Sequence, residues 1–160
     1  MLFCTILFVV SCSEQPAGKD GVIYKSALQY NNAIIDNQAK FVSKYMDILN
    51  RTEKPSGETL AELKALSNET SGYAKAIADM PAYYGDSLFR NAGVELLDFY
   101  SDFLLNDFSE IVKFRILAGD SAVHRYSDSI NILMQRNTEM ESVLDQRFQQ
   151  YQKEFARKNG

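Results

Sequence analysis

Leu28-Gln29-Tyr30-Asn31-Asn32-Ala33-Ile34-Ile35-Asp36-Asn37-Gln38-Ala39-Lys40-Phe41-Val42-Ser43-Lys44-Tyr45-Met46-Asp47-Ile48-Leu49 contains neither Gly nor Pro and reads as one long amphipathic helix. Leu28, Ile35, Val42 and Leu49 recur at a strict seven-residue spacing, with Ile34, Phe41 and Ile48 on the adjoining row. Two such rows form an apolar stripe along one side of a helix, and a stripe of that width needs another helix to cover it. The pattern extends over about residues 23–50.

Three further helical patterns follow. Lys54-Pro55-Ser56-Gly57 breaks the chain, and Thr59 with Glu62 offers a capping box to a second helix lined by Leu60, Leu63, Leu66, Tyr73, Ala74 and Ile77. Its middle, Ser67-Asn68-Glu69-Thr70-Ser71-Gly72, is a poor helix former and is expected to fray or kink. Pro81 stops that helix and Gly85 turns the chain. Asp86 then caps a third pattern that runs to about residue 118 through Leu96, Leu97, Tyr100, Phe103, Leu104, Phe108, Ile111 and Phe114. Gly119 suits a left-handed helix end, and Asp120 opens a fourth pattern reaching about residue 158. Short connections make consecutive helices antiparallel. The expected fold is therefore all-α: an antiparallel up-down-up-down four-helix bundle over residues 23–160, with two longer C-terminal helices.

A chain of 160 residues, 46% hydrophobic, can build its core without disulfide or metal support. Its formal charge of −4, with no run of Lys or Arg, argues against a nucleic-acid partner, whose capture depends on clustered positive charge. The single histidine, His124, has no Glu-x-x-His pairing, so a di-metal bundle site is not expected. Haem attachment through Cys-x-x-Cys-His is equally absent. No nucleophile–base pair can be assembled, and neither catalysis nor a cofactor is expected.

Residues 1–11 hold nine apolar residues, in the run Leu2-Phe3-Cys4-Thr5-Ile6-Leu7-Phe8-Val9-Val10. As a helix this run would reach about 15 Å, half of a bilayer's hydrocarbon core, which is too short to span but fits a signal-peptide core. The continuation Val9-Val10-Ser11-Cys12, then Ser13-Glu14-Gln15-Pro16, resembles a bacterial lipobox. The resemblance implies cleavage between Ser11 and Cys12, diacylation of the Cys12 thiol and acylation of the new amino terminus. Residues 1–11 would then be a lipoprotein signal peptide, and residues 12–22 the lipidated cysteine with a flexible tether. By the same resemblance, Ser13 rather than Asp after the cysteine implies the outer membrane of a bacterial envelope, so the membrane itself is the expected partner. The alternative is an ordinary buried apolar segment.

Three features are candidates for function. Asn31 and Gln38 fall between the apolar positions of the first helix, where buried amides either fix helix register or line a polar ligand site. The surrounding Tyr30-Asn31-Asn32-Ala33-Ile34-Ile35-Asp36-Asn37-Gln38 resembles a first-helix signature of a group of helical bacterial surface lipoproteins, one that carries no activity with it. Tyr83 and Tyr84 lie in Pro81-Ala82-Tyr83-Tyr84-Gly85 and read as a contact for a protein partner or as a plug over the bundle end. Glu95, Asp98 and Asp102 share one helix face and read as a cation or basic-partner patch, or as a solvated surface. The expected function is that of a non-enzymatic, lipid-anchored bundle that binds a partner or supports the envelope, with a small-molecule-binding bundle as the alternative.

Overall fold

The computed structural model describes residues 15–18, 21–51, 55–118 and 123–160. The described part is a helical bundle made of α1 (Ala27–Arg51), α2 (Gly57–Ala78), α3 (Leu88–Phe103), α4 (Ser109–Ala118) and α5 (Val123–Asn159), with no strand among the described residues. A π-helical segment, Leu104–Phe108, joins α3 to α4, so the five helices amount to four rods. The lipobox residues Ser11 and Cys12, the turn at Gly119 and Asp120, and the His124 side chain lie outside the described residues.

Each start has a local cause. Ser26 ends the extended chain and accepts the Gln29 amide at 3.1 Å, while the Gln29 side chain accepts from Lys25 N at 2.9 Å, so α1 begins at Ala27 rather than four residues earlier. In α2 the cap is Ser56, not Thr59: Ser56 Oγ accepts from Glu58 N, and Thr59 Oγ1 accepts from Ser56 N. At the head of α3 the N-cap position is Ser87, one residue later than expected, and its side chain makes no capping bond; Asp86 Oδ1 instead accepts from Leu88 N at 3.0 Å.

Of the two rows expected to form the stripe of α1, only one is buried along its whole length, while Ile35 and Leu49 of the other pack against the core in part. Leu28 is 69% exposed and Val42 51%, whereas Tyr30, Ile34, Phe41 and Ile48 are buried. Successive helix residues differ by about 100° around the axis, so a small rotation exchanges one row for the other. The chosen row brings two more aromatic rings into the core. Asn31 and Gln38 consequently flank the seam instead of filling it.

The middle of α2 neither frays nor kinks. Its small polar residues let α3 approach closely and bond across the gap: Ser67 Oγ donates to Ser101 O at 2.9 Å and Ser101 Oγ donates to Ser67 O at 2.9 Å. Ser71 Oγ adds a 2.7 Å contact to Ser101 Oγ. Thr70, fully buried, turns its hydroxyl back onto Leu66 O at 2.7 Å. Tertiary hydrogen bonds thus override a weak local propensity.

Gly93 is where the rods converge. A Cβ there would stand 3.0 Å from Ile34 Cγ2 on α1, 3.5 Å from Phe148 Cε2 on α5 and 3.7 Å from Ile77 Cδ1 on α2. The absence of a side chain lets three neighbours close on one point of α3.

The third rod was expected to be continuous, and its spacing explains the π segment. Phe103 and Phe108 are five residues apart and stack at 5.4 Å with 19° between planes, which a wider turn makes possible. Ser109 Oγ donates to Leu104 O at 2.7 Å, satisfying a carbonyl within the widened turn.

Candidate functional site

Two places gather polar and aromatic side chains near solvent, one at an end of the bundle and one beside the π segment. At the end, Tyr30 is the hub. Its ring meets Tyr24 at 5.1 Å, Tyr83 at 5.1 Å and Phe155 at 5.4 Å. Its hydroxyl donates to Pro81 O at 2.7 Å, and burial pushes its pKa up to about 12, with Arg90 acting in the opposite sense. Burying aromatic rings of this size stabilises by roughly 1.5–3 kcal/mol each, so this end is a firm part of the fold.

The two candidate tyrosines differ in burial. Tyr83 is buried against Tyr30 and Phe155 and is the plug, while Tyr84 is 56% exposed. They form one side of a tight turn in which Tyr83 N donates to Asp86 O at 2.9 Å and Asp86 N donates to Tyr83 O at 3.0 Å. Both central residues have positive φ, Tyr84 at 46° and Gly85 at 87°. Glycine adopts that geometry freely. A bulky tyrosine does so at a cost of about 1–2 kcal/mol.

The chain ahead of α1 enters at this same end. Pro16 is buried, Tyr24 N donates to Pro16 O at 3.0 Å, and Ala17 pairs with Ile23 in an isolated bridge. Gly18 N donates to Val22 O at 2.7 Å and Gly21 N to Gly18 O at 3.0 Å, with Gly21 at a φ of 79° that suits glycine. The expected free tether of residues 12–22 is, over its described residues, a closed loop fastened to the bundle. Pro16 and Gly18 flank the bridge, but neither advertises in sequence that residue 24 will return to residue 16.

Asn31 and Gln38 are not brought to a common ligand. Asn31 Oδ1 accepts from Gln152 Nε2 on α5 at 3.0 Å, a polar clip between helices distant in sequence. Gln38 Nε2 is buried with no hydrogen-bond partner. Nearby, Phe41 stacks on Tyr100 at 4.5 Å, and Tyr100 Oη donates to Glu141 Oε1 at 2.6 Å. Burial, that hydrogen bond and the neighbouring acids push the Tyr100 hydroxyl far above its ordinary range.

Beside the π segment lies a groove of about 320 Å³ between the third rod and α5. Phe99, Phe103 and Met140 supply its apolar lining; Asp102, Asp107 and Arg136 stand among its polar residues. Asp107 accepts from Arg136 Nη2 at 2.5 Å and from Asn137 Nδ2 at 2.7 Å, and Asn137 also donates to Leu133 O. Burial works against the Asp107 carboxylate, but the two hydrogen bonds and the Arg136 charge outweigh it and hold its pKa below the usual value. This latch joins residues about thirty positions apart and leaves no linear signal.

The acidic face is only partly a patch. Arg147 Nη1 donates to both carboxylate oxygens of Glu95, at 2.6 and 2.7 Å. Asp98 is exposed, and its pKa is raised by burial of its carboxyl and by the charge of Asp102. Among the described residues no group of His, Cys, Asp and Glu is placed to hold a metal ion, and no helix is long and apolar enough to cross a membrane. Comparison with protein-family models, with curated proteins and with solved structures gives no match.

Proposed function

We propose that this chain is a lipid-anchored, extracytoplasmic helical bundle of the bacterial cell envelope, non-enzymatic, that binds a protein partner or plays a structural role at the membrane. The observation that carries the reading is the sequence Val9-Val10-Ser11-Cys12 closing an apolar run too short to span a bilayer. Two or more acyl chains on Cys12 would anchor it stably, since each buried CH₂ contributes about 0.8 kcal/mol. In this reading the helices form an up-down-up-down antiparallel bundle. Contacts from Tyr30 to Pro81 and from Asp86 to Lys158 support that arrangement, because each joins the head of one helix to the tail of another. The outer membrane is the proposed location, from Ser13 behind the cysteine. Intact mass of the protein extracted from membranes tests the reading: the expected species begins at Cys12 and carries acyl mass. An unacylated chain retaining Met1 would refute it.

A second reading, a bundle that binds a small molecule between its helices, is favoured by one observation. The buried Gln38 Nε2 is a donor without an acceptor, at a cost of about 1–3 kcal/mol that a ligand carbonyl would offset. Native mass spectrometry of the protein purified from its own cells would show a retained molecule, and Gln38→Leu would release it.

A further inference from the structure

We infer that the end of the bundle carrying Pro16 and the Tyr83–Asp86 turn is its membrane-facing surface, seated on the lipid headgroups. This rests on the acylation of Cys12 proposed above. The argument begins with chain length. Pro16 is buried in the bundle, and only residues 13–15 separate it from Cys12. Four residue steps, fully extended, span no more than about 14 Å. An acylated Cys12 sits at the boundary of the hydrocarbon, and the headgroup layer above it is only about 5–8 Å deep. The Pro16 end therefore cannot stand away from the membrane.

That end has the composition an interface requires. Val22, Ile23, Tyr84 and Leu88 are exposed there, all four beside the buried Tyr24–Tyr30–Tyr83 cluster or the turn that follows it. Lys25 is exposed next to Tyr24, and Arg157 and Lys158 form the basic last turn of α5, with Lys158 Nζ bonded to Asp86 at 2.9 Å. Exposed apolar side chains with Lys25 and Arg157 at the same end fit a surface of acyl boundary and anionic headgroups. Tyrosine is enriched at that depth. Tyr84 sets its ring edge-on against Tyr83 at 4.9 Å and leaves the rest of it exposed, which places an aromatic side chain at the surface of this end.

The chain has no tryptophan, so single introduced tryptophans report position without background. The full-length protein is expressed with Tyr84→Trp, with Leu117→Trp near the end of α4, or with Val143→Trp on the exposed side of α5; the last two wild-type side chains are 69% and 53% exposed. Each variant is checked by intact mass and reconstituted into vesicles of equal phosphatidylethanolamine and phosphatidylglycerol bearing brominated acyl chains. The expected result is a blue-shifted Y84W emission quenched several-fold more than L117W or V143W. Adding Lys25→Glu and Arg157→Glu to Y84W should lower that quenching. Acylated protein in which Y84W is quenched no more than the other two overturns the inference and leaves the anchor reading standing. Protein without acyl mass and without Y84W quenching overturns both.

Discussion

Gly93 offers the sharpest test of how the rods meet. Placing alanine in a helix interior instead of glycine normally stabilises by about 0.5–1 kcal/mol. Here the new methyl would stand 3.0 Å from Ile34 Cγ2, closer than ordinary van der Waals contact, with Phe148 at 3.5 Å and Ile77 at 3.7 Å behind it. All three neighbours are buried, so none can swing into solvent. Overpacking of this kind costs about 1–3 kcal/mol. The balance predicts that Gly93→Ala destabilises by about 0.5–2 kcal/mol, the reverse of its effect at an open helical site. The cause is testable because one methyl is responsible. In an Ile34→Ala background, itself about 2–5 kcal/mol less stable, Cγ2 is gone and G93A should become stabilising by its propensity alone. Ile34→Val keeps Cγ2 and should give no such reversal. Urea denaturation followed by helical ellipticity measures all the variants. Stabilisation by G93A in the wild-type background, or a coupling to I34A below about 0.5 kcal/mol, would refute the geometry.

The π segment and the buried phenols give two more expectations. Ser109→Ala removes the hydroxyl that satisfies Leu104 O and should cost about 1–2 kcal/mol in the same assay, with an unchanged midpoint counting against that role. Tyr30 and Tyr45 are raised by burial to about 12 from an ordinary 10.0, so the neutral forms favour the folded state. Their contribution is complete below pH 10 and is lost as pH rises towards 12; Tyr45→Phe should lessen that alkaline fall in urea midpoint, and an identical fall would exclude Tyr45 as a source.

Periodicity was enough to reveal the helical class and most of the core. Leu97, Leu104 and Ile111 on the third rod are buried as their spacing predicts. It could not choose between two adjacent apolar rows on α1, because Leu28-Ile35-Val42 and Ile34-Phe41-Ile48 are equally periodic and only the neighbouring helices decide. It also misjudged residues 67–72 of α2: propensity sees serines and threonine as weak helix formers, while their partner Ser101 lies about thirty residues away. Of the candidate residues, Tyr83 and Tyr84 were found together but not told apart, since alternate burial of adjacent residues depends on a turn whose positive φ at tyrosine is unusual. Asn31 was legible as a polar contact between helices, but Gln152, its partner, carried no mark of its own.

The fastening of residue 16 to residue 24 has a mechanical consequence. Tension on the chain from its amino-terminal side reaches the backbone bond between Tyr24 and Pro16, and the buried Pro16 ring, before it reaches the first turn of α1. The loop works as a strain relief, like the clamp where a cable enters a housing. A pull from that side would be spent on a small, separately bonded loop whose release leaves the Tyr30 cluster and the helices behind it in register.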